Sequence, residues 1–346
     1  MPNAVPRSLA LDYLTGICGV WIASGILLDA WAHGHVPVED FFTPYHAVFY
    51  SGMLAPMIVY AIFVLRNRAR GYGWRACLPP GHGLAVLGVP IFFIAGVGDL
   101  CWHLLFGLEE GVDALLSPTH QALGLAIILL AAGPIRSVLA DRANSTGFVK
   151  QFPLVLGLVA WLIMIHFGTA YAFDPSAGRT DAPPSTTTFS PNYLTALAIG
   201  YYKSSISVLV LIFQSLIITA FALWTISRIR LRRFSFTLLF VLGNVPEAAA
   251  YTNATPLLLV TILQSLIGGL IADELVARYD PHAESPRAYK LFAVALPLAY
   301  SGTYILATLA LDRLWWDWNV ALGAWMWTAI IGIALSSIGT ARRTAS

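Results

Sequence analysis

The stretch YLTGICGVWIASGILLDAWAHGHVPVEDFFTPYH, residues 13–46, decides the fold. From Tyr13 to Leu28 it carries no charged side chain for 16 residues. Extended to Ala32, the run is long enough to cross a hydrocarbon layer as a helix. Its polarity then changes abruptly: Asp29, His33, His35 and His46 crowd the point where one apolar run ends and the next begins. Charge is costly at a membrane edge, so a carboxylate and imidazoles there call for a chemical reason.

The rest of the chain repeats the apolar theme. Of 346 residues, 58% are hydrophobic and 11% charged, and the mean hydropathy is +0.71. A soluble domain carries about a quarter charged residues, so the composition is that of an all-α integral membrane protein. The 11 Trp and 14 Tyr suit the aromatic belts at bilayer interfaces. No basic cluster is interleaved with stacking aromatics, which argues against a nucleic-acid partner. Cys18, Cys77 and Cys101 form no CxxC pair, excluding a disulfide framework and an iron–sulfur cluster. Cys101, between Asp99 and His103, is a minor ligand candidate.

Ten apolar helices are expected, at about 10–33, 46–66, 83–106, 119–138, 152–173, 198–227, 235–252, 255–277, 289–310 and 319–340. The seventh is interrupted by Asn244, Pro246 and Glu247 and could be broken or re-entrant. With the N-terminus in the cytoplasm, all of the 20 Lys and Arg except Arg179, Lys203 and Arg313 fall inside. The expected setting is therefore the inner (cytoplasmic) membrane, multi-pass, with both termini cytoplasmic. Arg7, the first apolar run and Ala30-Trp31-Ala32 mimic a cleavable signal peptide, but the length of the run favours a retained span. Residues 174–193, rich in Pro, Ser and Thr, read as an exposed outer loop or lid, and 312–319 (DRLWWDWN) as an interfacial tryptophan anchor.

The opening pattern occurs twice. Residues 99–123, DLCWHLLFGLEEGVDALLSPTHQAL, again read Asp-x3-His, a loop, then Ser or Thr, Pro, one residue and His. The two aspartates are 70 residues apart, and the spacers between the histidines are 12 residues (His33 to His46) and 16 residues (His103 to His120). Helices one and two therefore form a unit that helices three and four repeat, a tandem four-helix domain over 1–145 followed by a six-helix bundle over 146–346. Asp29/His33 and Asp99/His103 share helix faces at i and i+4. Thr43 and Ser117 are natural N-caps, Pro44 and Pro118 suit the first helical position, and His46 and His120 fall at the third. Each copy thus offers two imidazoles and a carboxylate near the outer face. A bland reading, polar side chains snorkelling to water, suits a single histidine better than a duplicated asymmetric pattern. Asp29, His33, His46, Asp99, His103 and His120 are the expected metal ligands, for copper, iron or zinc.

Other polar residues carry weaker signals. His35 and His166 read as spare ligands or satisfied polar groups, and Glu247 as a functional candidate that could pair with Lys203. Glu109, Glu110 and Asp113 read as a solvated loop face, and His82 and His282 as bland loop residues. Gln214 and Gln264 are scattered. Trp31, Phe41, Phe42, Trp102 and Phe106 could wall an apolar pocket beside the ligands.

The duplicated pattern resembles the C subunit of the copper membrane monooxygenases, the particulate methane and ammonia monooxygenase family. The likeness covers residues 10–138: Asp29, His33 and His46 match the family's first set in spacing. Asp99, His103 and His120 match its second set, with Asp where the family has Asn and with a longer spacer. The resemblance implies copper as the metal, O2 and a small apolar substrate as reactants, and a quinol or external electron donor. It implies hydroxylation near the outer membrane face. Two other functions fit the same residues: a transporter or metal-handling protein, and a noncatalytic subunit of a larger complex. Homo- or hetero-oligomers are compatible with each.

Overall fold

Helices are the only regular secondary structure among the described residues. The computed structural model describes residues 5–36, 41–107, 109, 112–170, 191–251, 255–282, 284–311, 314 and 316–341. The chain divides into two compact units, Met1–Tyr171 and Ala172–Ser346. Among the described residues, nine helices are long and apolar enough to cross a membrane. This is an all-α, multi-pass membrane protein in a lipid bilayer.

The first unit contains α1 (Leu9–His35), α2 (Pro44–Ala69), α3 (Gly83–Phe106), α4 (Val112–Leu116), α5 (Pro118–Ala140) and α6 (Phe148–Gly168). Helix α1 packs on α2 and α3 on α5, so the two halves of the tandem repeat are both helix pairs. Short α4 lies in the second connection and accounts for its longer spacer. Helices α5 and α6 also close against α1. Small residues permit that approach: a Cβ on Gly16 of α1 would fall 3.2 Å from the carbonyl oxygen of Pro153 on α6, and one on Gly157 of α6 would fall 2.7 Å from that of Ala131 on α5. Ile22, Leu123, Ile127, Leu130, Leu154, Leu158 and Leu162 form the fully buried centre. The unit boundary therefore falls one helix later than the expected 145/146 division, because α6 packs on α1 and α5.

The second unit contains α7 (Pro191–Arg228), α8 (Ser235–Tyr251), α9 (Thr255–Tyr279), α10 (Pro286–Ala310) and α11 (Trp318–Ala341). Helix α9 packs between α8 and α10, and α7 packs on α10 and α11. Asp273 on α9 caps α8 from outside: its carboxylate accepts from the backbone N–H of Phe236 and of Thr237, each at 3.0 Å, and from the Thr237 hydroxyl at 2.7 Å. Orphan N–H groups at a helix start need such an acceptor wherever water is scarce.

The expected seventh helix is present as α8, continuous through Pro246, but its apolar part (Ser235–Ala250) is shorter than the nine spans. Helix α7 begins at Pro191, earlier than expected. Most of the expected outer loop at 174–193 lies outside the described residues, as do Glu110 and the side chain of Lys203.

Candidate metal centre

The ends of α1, α2, α3 and α5 bring the six predicted side chains together as two triads. In each, Asp29/His33/His46 and Asp99/His103/His120, one ligand atom per residue lies within 4.8 Å of the others.

Local sequence sets the geometry. Thr43 caps α2, accepting the backbone N–H of His46 at 3.1 Å, and its Oγ1 also meets His46 Nδ1 at 3.1 Å. Ser117 caps α5 in the same way, accepting from the backbone of His120 at 3.4 Å and meeting its Nδ1 at 2.8 Å. Proline follows each cap at the first helical turn. One hydroxyl thus starts the helix and turns the imidazole, so that Nε2 faces the aspartate of the same triad, on α1 for His46 and on α3 for His120. His46 Nε2 lies 3.4 Å from Asp29 Oδ2, and His33 Nε2 lies 3.6 Å from the same oxygen. In the second triad His120 and His103 Nε2 stand 3.1 and 3.6 Å from Asp99 Oδ1.

Hydrogen bonds on the far side of the rings decide the chemistry of the second triad. His120 Nδ1 sits 2.5 Å from the carbonyl oxygen of Ala114, and His103 Nδ1 sits 3.1 Å from that of Gly107. A carbonyl only accepts, so both Nδ1 atoms carry the proton. In the neutral imidazoles both Nε2 atoms then present lone pairs to a carboxylate oxygen. Such an arrangement is repulsive until a positive charge sits among the three groups, and it is the tautomer that a metal ion requires. With bonds of about 2.1 Å, ligand atoms on one ion stand about 3.0–3.4 Å apart, close to the carboxylate–imidazole separations of 3.1–3.6 Å. The donor set fits a divalent metal.

The two carboxylates are held differently. Asp99 is 1% exposed, and it accepts from the Thr119 hydroxyl at 2.9 Å and the Tyr50 hydroxyl at 3.3 Å. Asp29 is only partly buried and faces its two imidazoles. Tyr50 lies one turn beyond His46, so α2 supplies a ligand to one triad and a support to the other. Phe41 lies between them, stacked on His46 at 4.9 Å and tilted against His103 at 5.9 Å. Asp99 and His103 act electrostatically on His46, so the triads share one field.

Several expectations change. Glu109 turns inward instead of lying on a solvated loop face: it accepts from Trp102 Nε1 at 2.8 Å, and its other oxygen is 3.7 Å from His120 Nδ1. Trp102, Phe106, Glu109, Asp113, Leu116, Ser117 and Pro118 line a cleft of about 650 Å³ beside the second triad. Phe42 is exposed, and Trp31 stacks on His35, whose Nδ1 donates to the Trp31 carbonyl at 2.8 Å and which belongs to neither triad. His166 is buried in α6 and Cys101 is exposed, both outside the triads.

His82 is not bland. It is fully buried, with Nε2 2.9 Å from Asp12 Oδ1 and Nδ1 2.8 Å from the Tyr60 hydroxyl, while Arg7 Nε donates to Asp12 Oδ2 at 2.7 Å. This network locks the opposite end of the first unit. Asp12 and His82 are 70 residues apart, so only the tertiary fold brings them together.

No protein-family model, curated protein or solved structure matches this chain.

Proposed function

We propose that this chain is a membrane-bound, copper-dependent oxidoreductase that hydroxylates a small hydrophobic compound with O2 near the outer face of the inner membrane. The observation that carries the reading is the pair of Asp–His–His triads, with imidazole nitrogens aimed at a shared carboxylate in each. The choice of copper over iron or zinc rests on the likeness of Asp29, His33 and His46 to the C subunit of the copper membrane monooxygenases.

Bound copper would supply the one-electron chemistry that O2 needs to react with a closed-shell substrate. The protein's part is to hold and to exclude. Asp29, His33 and His46 supply a site whose ligands the α2 cap positions, and Phe41 covers one face of His46 against water. Phe41, packed between the two triads, gives apolar surface beside the first, and Trp102, Phe106 and Leu116 extend that surface in the cleft beside the second, where a small apolar substrate would sit. One oxygen atom enters the substrate and the other leaves as water, with two electrons and two protons drawn from a quinol or an external donor. The exclusion of lysine and arginine from the triad end supports placing both triads outside and both termini in the cytoplasm.

Oxygen consumption by the purified chain, reduced with a quinol and offered a short alkane, tests the reading. Consumption should require copper and yield the alcohol. An active metal-free protein, or a copper-loaded one that never consumes oxygen, would overturn it. A second reading, transport or metal handling, draws support from the polar cluster that α8, α9 and α10 bury in the second unit.

A further inference from the structure

The second unit holds a polar cluster that the triads do not use. Asn244 on α8 is 4% exposed, and its Nδ2 donates to Ser265 Oγ on α9 at 3.2 Å and to the Tyr300 hydroxyl on α10 at 3.0 Å. Its Oδ1 has no hydrogen-bond partner among the described residues. A buried amide oxygen left unmet costs about 1–3 kcal/mol, so helices keep one only where something else meets it. Turning the amide over would not remove the problem, because the hydroxyls can accept or donate and one end of the amide would still be orphaned.

Glu247 lies one helical turn after Asn244, on the same side of α8, and its carboxylate acts electrostatically on Tyr300. Phe240, one turn before Asn244, packs edge-on against the Tyr300 ring at 6.0 Å, so the stripe Phe240, Asn244 and Glu247 faces α10. On α9, Gly268 makes room for that ring: a Cβ there would fall 2.8 Å from Tyr300 Cδ2. Gln264 precedes Gly268 by one turn, is 4% exposed, and leaves its Nε2 without a hydrogen-bond partner among the described residues. The cluster therefore combines an unmet amide oxygen, a carboxylate in an apolar helix and an unmet amide donor. An ionisable group within an apolar membrane helix is a functional candidate by default.

We propose that α8, α9 and α10 form a binding site for a small monovalent cation, held by Asn244 Oδ1 and the Glu247 carboxylate. Ser265 and Tyr300 hold the Asn244 amide by accepting from its Nδ2, the orientation in which its oxygen faces the ion, and a water on the ion accepts from Gln264 Nε2. The site is independent of the metal triads and of the oxidoreductase reading.

The test uses the purified full chain, unfolded by heat in sodium, potassium or ammonium chloride, with N-methylglucamine chloride as the control at matched ionic strength. At least one of the three cations should raise the unfolding temperature saturably, because a ligand that binds only the folded state stabilises it. Glu247→Gln, close in shape to the wild type, should weaken that cation about tenfold or more, and Asn244→Ala should abolish the rise. His33→Ala should leave it unchanged, which separates this site from the metal triads. A wild-type chain that responds to none of the three cations, or a rise that both variants retain, would overturn the proposal. If Asn244→Ala fails to fold, Glu247→Gln alone decides between the two results.

Discussion

The two triads share a sequence pattern and differ in what surrounds it. Both place two Nε2 atoms on one carboxylate, and both use a capping hydroxyl followed by proline to aim the later histidine. Asp99, however, is buried and already accepts from Thr119 and Tyr50, whereas Asp29 is more open and meets mainly imidazole. His120 is held by Ala114 and Glu109 in addition to its cap, whereas His46 has Thr43 and the face of Phe41. The second site is therefore built rigid, and the first is left adjustable. A site that cycles between oxidation states gains from adjustable ligands, while a rigid, negatively ringed one favours a single charge state of its metal. On this account the first triad carries the redox ion and the second holds an ion that is harder to reduce.

Carboxylate exchange should separate the two most strongly. Asp29→Asn removes the only charged ligand of the first triad, and metal affinity there should fall by about 100-fold or more, above the usual effect of an outer-shell change. Asp99→Asn should retain its metal, because the amide oxygen can still accept from Thr119. Metal titration of each variant reads the difference, and equal losses would erase the proposed asymmetry.

Tyr50→Phe comes next. It deletes the hydroxyl that Asp99 accepts from at 3.3 Å and should weaken the second site about tenfold, leaving the first unchanged. A loss at the first site instead would mean that Tyr50 serves His46, its neighbour one turn away. Glu109→Gln should act more weakly on the second site, by a few-fold at most, because the hydrogen bond from His120 to Ala114 persists. An effect larger than that of Tyr50→Phe would show Glu109 to be a ligand in its own right.

The smallest effects belong to the caps. Thr43→Ala and Ser117→Ala should each cost about 1 kcal/mol of stability, read by thermal or denaturant unfolding, with the metal still bound. Metal loss in either would show that the hydroxyl's contact with Nδ1, rather than the helix start, maintains the triad.

Much of this was legible in sequence because membrane helices and their caps obey local rules. Apolar runs locate the spans, and Thr43-Pro44 and Ser117-Pro118 announce where α2 and α5 begin. Spacing at i and i+4 placed Asp29 beside His33 and Asp99 beside His103. What sequence could not show depends on contacts between distant segments. Asp273 caps α8 from 36 residues away or more, His82 meets Asp12 across 70 residues, and Tyr50 reaches Asp99 across 49. The inward turn of Glu109 depends on Trp102 as well as on its own loop, and the placement of α6 in the first unit depends on packing against α1 and α5.

Metal content of the purified full chain, after loading with copper and removal of loosely bound ions, tests the central claim most directly. The account predicts two ions per wild-type chain, one in His33→Ala, one in His103→Ala and none in the double variant. A wild-type chain that retains no metal, or single variants that retain as much as the wild type, would contradict it.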